Sequence, residues 1–165
     1  MTRSLFLAPL LLLSACGLQP LYSGGNAGPV AATLAGVSVA PIEGKAGWLM
    51  QAALADRIQA AGSPRYSLKV ELDDKITGFG VRRDDAVTRE RRTLRARYQL
   101  VETATGQTVL DATAGSDAGI DVVSSDYATI AAENSALERL TGVVADQIVA
   151  RVALYARRTA DAPAK

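Results

Sequence analysis

A single cysteine, a run of arginines and a complete lack of histidine set the chemistry this chain of 165 residues could do. With Cys16 alone, neither a disulfide nor a cysteine-rich metal site can be assembled within the chain. The absence of histidine removes the commonest general base and the commonest metal ligand together. Ser124 and Ser125 therefore have no imidazole to activate a hydroxyl. Asp73-Asp74 and Asp84-Asp85 are adjacent carboxylates beside turn formers and basic residues, and they read as solvated turns. Gly78-Phe79-Gly80 lacks the third glycine and the following helix of a dinucleotide loop, and reads as a strand end or bulge. No catalytic residue, metal ligand or cofactor is assigned, and the chain is read as a non-enzyme.

The arginines lie in Arg82-Arg83-Asp84-Asp85-Ala86-Val87-Thr88-Arg89-Glu90-Arg91-Arg92, with Arg95 and Arg97 just beyond. A guanidinium donates two parallel hydrogen bonds, which suits phosphate and carboxylate groups. Two readings stand side by side: an anion site, or a charged hairpin tip that Asp84, Asp85 and Glu90 neutralise in place. Lys and Arg number 18 against 17 for Asp and Glu, a balance that gives no global reason to expect a nucleic-acid partner.

The position of Cys16 is as informative as its solitude. Arg3 supplies a positive start and Leu5 to Leu13 an apolar run, far shorter than the roughly 20 residues of a membrane-spanning helix. This is the shape of an export signal. Leu13-Ser14-Ala15-Cys16 then admits two processing readings, an ordinary signal-peptidase site and a bacterial lipobox, and only the lipobox explains the lone thiol. Cleavage before Cys16 would discard residues 1–15 as a lipoprotein signal peptide and leave acyl chains on the new N-terminus, anchoring the protein to a bilayer without crossing it. Gly17 stands where aspartate would favour retention at the inner membrane, which points to the outer one. Residues 16–31, with Ser23-Gly24-Gly25-Asn26-Ala27-Gly28-Pro29, read as a lipidated N-terminus and flexible tether.

A single domain is expected over residues 32–158, with 159–165 a frayed tail. Val37, Val39 and their neighbours predict a strand at about 35–40, ended by Pro41. Met50, Leu54, Ile58 and Ala61 recur at helical spacing over 48–61, and Gly62-Ser63-Pro64 stops that helix. Strict alternation in Tyr66-Ser67-Leu68-Lys69-Val70-Glu71-Leu72-Asp73 predicts a half-buried strand, and the pattern returns over 94–100 and 108–114. Gly106 supplies the turn between those two strands. Ser124-Ser125-Asp126 offers a helix cap, and Ile130, Asn134, Leu137, Leu140, Val144, Ile148, Val152 and Tyr155 set out one long amphipathic helix to about Arg158. The expected fold is α+β, a small antiparallel or mixed four-stranded sheet in the order β-α-β-β-β-α with two helices packed on one face. The other face, bearing Lys69, Glu71, Arg95, Arg97 and Gln99, should meet water or a partner.

Cys16-Gly17-Leu18-Gln19-Pro20-Leu21-Tyr22 resembles the mature N-terminus of the LptE family of lipopolysaccharide-assembly lipoproteins, in its alphaproteobacterial form. Arg83-Asp84 before Thr88-Arg89, the stretch Ala96-Arg97-Tyr98-Gln99-Leu100, and Ala145-Asp146-Gln147-Ile148 with Leu154-Tyr155 are similar to later landmarks of that family, in the same order. The resemblance implies an outer-membrane lipoprotein facing the periplasm, seated in the lumen of a large LptD-like β-barrel, which it helps to assemble and with which it delivers lipopolysaccharide to the outer leaflet. It also implies lipopolysaccharide binding through basic residues near a sheet-end loop. Arg83 and Arg89 are the nearest matches, with Arg82, Arg91 and Arg92 beside them. The alternative reading is a periplasm-facing lipoprotein that serves another envelope machine as pilot or adaptor.

Overall fold

A computed structural model describes residues 28–81 and 87–161; Cys16, Arg82 and Arg83 lie outside them. In chain order the elements are α1 (Pro29–Ala35), β1 (Val37–Val39), α2 (Gly44–Arg57), β2 (Tyr66–Val81), β3 (Val87–Glu102), β4 (Thr108–Asp121) and α3 (Asp126–Asp161). The strands form one mixed sheet in the order β1-β2-β3-β4. β1 pairs parallel to β2, and the two later pairings are antiparallel. The helices lie on one side of this sheet, so the α+β class and the four-stranded mixed sheet agree with the periodicity.

Alternation decides the core. Tyr66, Leu68 and Val70 of β2 and Leu94, Ala96, Tyr98 and Leu100 of β3 are buried on one sheet face. Against them α3 sets Leu137, Leu140, Val144, Ile148 and Val152, residues three and four apart that share one stripe of the helix. Met50 and Leu54 of α2 and Val30 and Leu34 of α1 complete the same cluster. Full burial contributes about 1.5–3 kcal/mol for each large aliphatic side chain.

Local contacts fix the frame. Arg57 donates from Nε to Asp146 Oδ1 at 2.5 Å, from Nη1 to the Ala53 carbonyl at 2.7 Å and from Nη2 to the Gly142 carbonyl at 3.3 Å. It locks the end of α2 to the middle of α3, and holds the Asp146 carboxyl below the usual range through that hydrogen bond. Near the start of α2, Lys45 donates to Asn134 at 2.6 Å. Gly47 is required by a close approach: a Cβ there would sit 2.5 Å from the Ile42 carbonyl oxygen. Gly106 turns β3 into β4 with φ at 69°, a conformation glycine adopts without steric cost. The Ser125 hydroxyl accepts from the Ala128 N–H at 3.4 Å, as the cap at the head of α3 predicts.

The structure corrects the expected fold in four places. There are three helices, because Pro29–Ala35, placed with the tether and the first strand, forms α1 with proline in its first turn. α2 spans Gly44–Arg57 in place of 48–61. β2, β3 and β4 each run well past the predicted ends, and α3 continues three residues past Arg158 to Asp161. Asp73 and Asp74 lie inside β2, not in a turn, because each has a cation to face: Lys75 for Asp73 at 2.9 Å and Arg92 for Asp74 at 2.5 Å.

Candidate functional site

Strand geometry divides the arginine run. Successive β3 residues point to opposite faces, so Arg89, Arg91, Arg95 and Arg97 stand in one column on the open face while Arg92 points to the helices. Arg92 is the one buried charged residue among the described residues. Its Nε and Nη2 donate to the two carboxylate oxygens of Asp74 at 2.8 and 2.5 Å, and its Nη1 donates to the Glu133 carbonyl of α3 at 2.8 Å. Its hydrogen bond to Asp74 raises its pKa further. This guanidinium joins β2, β3 and α3 and faces away from the column.

Along the column each arginine meets a different neighbour. Arg97 donates to Asp111 at 3.0 Å and Arg95 reaches Asp117 at 3.5 Å. The Asp111 carboxyl is held low by Arg97 and Gln99, and that of Asp117 by the Thr93 hydroxyl and then Arg95. Arg89 meets Asp121 at 3.3 Å, with both side chains largely exposed. Arg91 differs. Its guanidinium lies over the Phe79 ring at 5.4 Å, Gly119 stands opposite it on β4 with open space above, and among the described residues no carboxylate lies within ion-pair distance.

The sheet therefore ends in an arginine tip, with Arg89 and Arg91 on the open face, beside the 82–86 connection. The same end carries exposed apolar side chains: Phe79 at 40%, Val123 at 50%, Tyr127 at 83% and Ile130 at 55% exposure. Ile130 was expected on the core stripe of α3, and its exposure takes it out of the core. Sequence reasoning also missed Phe79 as the platform for Arg91, and Asp117 and Asp121 as counter-charges. The signal for the aspartates was present in the two-residue spacing of Asp111, Thr113, Gly115, Asp117, Gly119 and Asp121 along β4. Among the described residues no group of His, Cys, Asp and Glu is placed to hold a metal ion, and no helix is long and apolar enough to cross a membrane.

This mixed sheet with helices on one side is a fold seen in several bacterial lipoproteins. A structure of a Caulobacter crescentus protein described as a lipoprotein superposes with a TM-score of 0.67, at 22% identity, covering 79% of this chain and 98% of that one. Rare lipoprotein B from Shewanella oneidensis superposes at 0.59 with 9% identity, over 75% of this chain and 96% of that one. Lipoprotein B from Nitrosomonas europaea gives 0.57 at 10% identity, over 73% and 82%. No curated protein matches the sequence. Residues 34–152 match the model of the LptE family, described as lipopolysaccharide-assembly, and the chain belongs to that family.

Proposed function

We propose that this protein is an outer-membrane lipoprotein, held by lipid on Cys16, that seats in the lumen of an LptD-like β-barrel, supports its assembly and takes part in delivering lipopolysaccharide to the outer leaflet. The observation that carries this reading is the family match across residues 34–152. The geometry supports it. The chain enters the fold at α1, where Thr33 lies with Arg65, Tyr66, Tyr155 and Thr159 around one surface depression. The arginine tip lies at the opposite end of β2, about 40 Å away at roughly 3.3 Å per residue. An open face of alternating Lys, Glu, Asp and Arg gives the domain a wettable side, and near-zero net charge avoids repulsion from a wall of either sign.

At the tip, Arg89 and Arg91 are the described members of the expected lipopolysaccharide site, and Arg91 has donors that no carboxylate of the described residues occupies. Phosphate groups suit these forks, and Phe79, under the Arg91 guanidinium, offers apolar contact beside them. Arg92 serves the frame in this reading, being already bonded to Asp74 and Glu133. Replacing Arg89 and Arg91 together by alanine is expected to weaken lipopolysaccharide binding by about tenfold to a hundredfold, since a hydrogen bond to a charged group contributes about 1.5–3 kcal/mol. Arg97→Ala, which removes a guanidinium already tied to Asp111, should leave affinity within about twofold, the effect to be expected of a rim charge. Titration of purified lipopolysaccharide onto the three proteins makes the comparison, and equal affinities would remove the tip from the proposal.

A further inference from the structure

The two edges of the sheet are protected differently. On β4 one side chain takes both outward groups of Gly115: the N–H donates to Gln147 Oε1 at 3.1 Å and the carbonyl accepts from Gln147 Nε2 at 3.4 Å. Asp111, Asp117 and Asp121 line the same strand with charge. Such devices oppose the addition of a further strand.

The β2 edge also carries charge, on Lys69, Glu71, Asp73 and Lys75, but among the described residues no side chain takes its outward backbone groups between Leu68 and Gly80. β1 covers only Tyr66, Ser67 and Leu68. There the Tyr66 N–H donates to the Gly36 carbonyl and the Leu68 carbonyl accepts from Ala40, so even-numbered residues of β2 aim their backbone groups outward. Beyond Ala40, Pro41 has no N–H to give and the chain leaves for α2. At the far end the Gly80 carbonyl accepts from the Thr88 hydroxyl at 2.7 Å. Between these stops, the outward N–H and C=O groups of Val70, Leu72, Asp74, Ile76 and Gly78 have no partner among the described residues.

We infer that this edge pairs, antiparallel, with the same edge of a second copy of the chain about a two-fold axis at Asp74. The bare residues are symmetric about Asp74, so this register satisfies all of them. Val70 faces Gly78 of the second copy, Leu72 faces Ile76 and Asp74 faces its own equivalent, exchanging about ten backbone hydrogen bonds. On the open face Asp73 meets the second copy's Lys75, and Lys75 its Asp73. Glu71 faces Thr77 and Lys69 faces Phe79, so no like charges oppose on the open face. Sliding the register by two residues sets Asp73 against Asp73 in one direction and Lys75 against Lys75 in the other, and facing like charges disfavour both.

On the helix side Ile76, 41% exposed, gains Leu72 of the second copy. The two Asp74 carboxylates on the axis are each already held by their own Arg92. Trp48 of α2, 69% exposed, lies nearly opposite Met50 and Leu54 on the helix wheel. The bonds from Lys45 to Asn134 and from Arg92 to the Glu133 carbonyl set this turn of α2 level with the middle of the bare edge. The pairing does not rest on the barrel reading and concerns the chain when no other partner holds it.

The test uses full-length chains bearing Asp73→Cys and Lys75→Cys, differently tagged and co-expressed, with the unsubstituted chain as control for Cys16. Both side chains are largely exposed, at 56% and 70%, and unchanged thermal unfolding verifies the fold. Facing residues of a non-hydrogen-bonded pair lie about 4.5 Å apart between Cα atoms, within disulfide reach. Mild oxidation should give a mixed disulfide dimer at least several-fold more abundant than either variant yields alone. Lys75→Glu should shift the population to monomer in sedimentation, and adding Asp73→Lys should restore the dimer. The inference is overturned by no mixed dimer from folded chains, by equal yields in every combination, or by crosslinking to a different protein, which would place another partner's strand on this edge.

Discussion

Arg92→Leu is expected to lower the unfolding free energy by about 3 kcal/mol, the largest effect of any arginine substitution in the sheet. The side chains of Arg92 and Asp74 are only 11% and 22% exposed, and the guanidinium spans two carboxylate oxygens and a helix carbonyl. Removing one partner of such a pair strands the other in a poorly hydrated place, at a cost of about 3–5 kcal/mol when burial is complete; the residual exposure of Asp74 puts this site at the lower end. Arg92→Leu with Asp74→Leu should recover most of the loss, because the penalty belongs to the unpaired carboxylate and a well-packed apolar pair is often as stable as the ionic one. Urea unfolding at constant slope measures both proteins. A single variant as stable as the parent would show that the contact contributes nothing to the frame.

Cys16→Ser should release the protein from the membrane. Each buried methylene contributes about 0.8 kcal/mol, so acyl chains on Cys16, as proposed, would account for nearly all the anchoring. The described fold begins at Gly28, and its unfolding transition should be unchanged by the substitution. In fractionated cells the parent is expected to sediment with the outer membrane. The variant should move to the soluble periplasmic fraction or retain its uncleaved leader. A variant still in the outer membrane at the parental level, released by neither salt nor carbonate, would refute attachment through this residue.

How far the fold was legible depended on whether the signal was periodic. Tyr66, Leu68 and Val70 announced their strand because one face is dry and the other wet. The stripe from Leu137 to Val152 announced its helix for the same reason. β2 beyond Leu72 was hidden because Asp73, Asp74 and Gly78 have the composition of a turn; they remain in a strand only because Arg92 and the rest of β3 lie alongside, and their partners Arg95, Leu94 and Glu90, a dozen or more residues away in the chain, leave no local mark. α1 was hidden by its glycine-rich approach, although Pro29 at a helix start and the small residues after it fit a short helix.

The arginine cluster shows the same limit at the site. As a run of letters Arg89, Arg91 and Arg92 look alike, yet the period of two sends Arg92 to the interior and leaves the others outside. Once the register is known, Gly119 and Phe79 separate Arg91 from Arg95 and Arg97, which are tied to aspartates that only cross-strand pairing brings close. The N-terminal motif, by contrast, needs no fold to be read, since the proposed processing at Cys16 would act on the linear chain.

The most direct test of the central claim is to purify the tagged, full-length protein in mild detergent from the outer membrane of cells that express it at native level. A stable one-to-one complex with a β-barrel protein of several hundred residues is expected, from which the tagged chain is lost only when the barrel unfolds. Recovery alone, or with a secretin or an inner-membrane assembly in place of such a barrel, would contradict it.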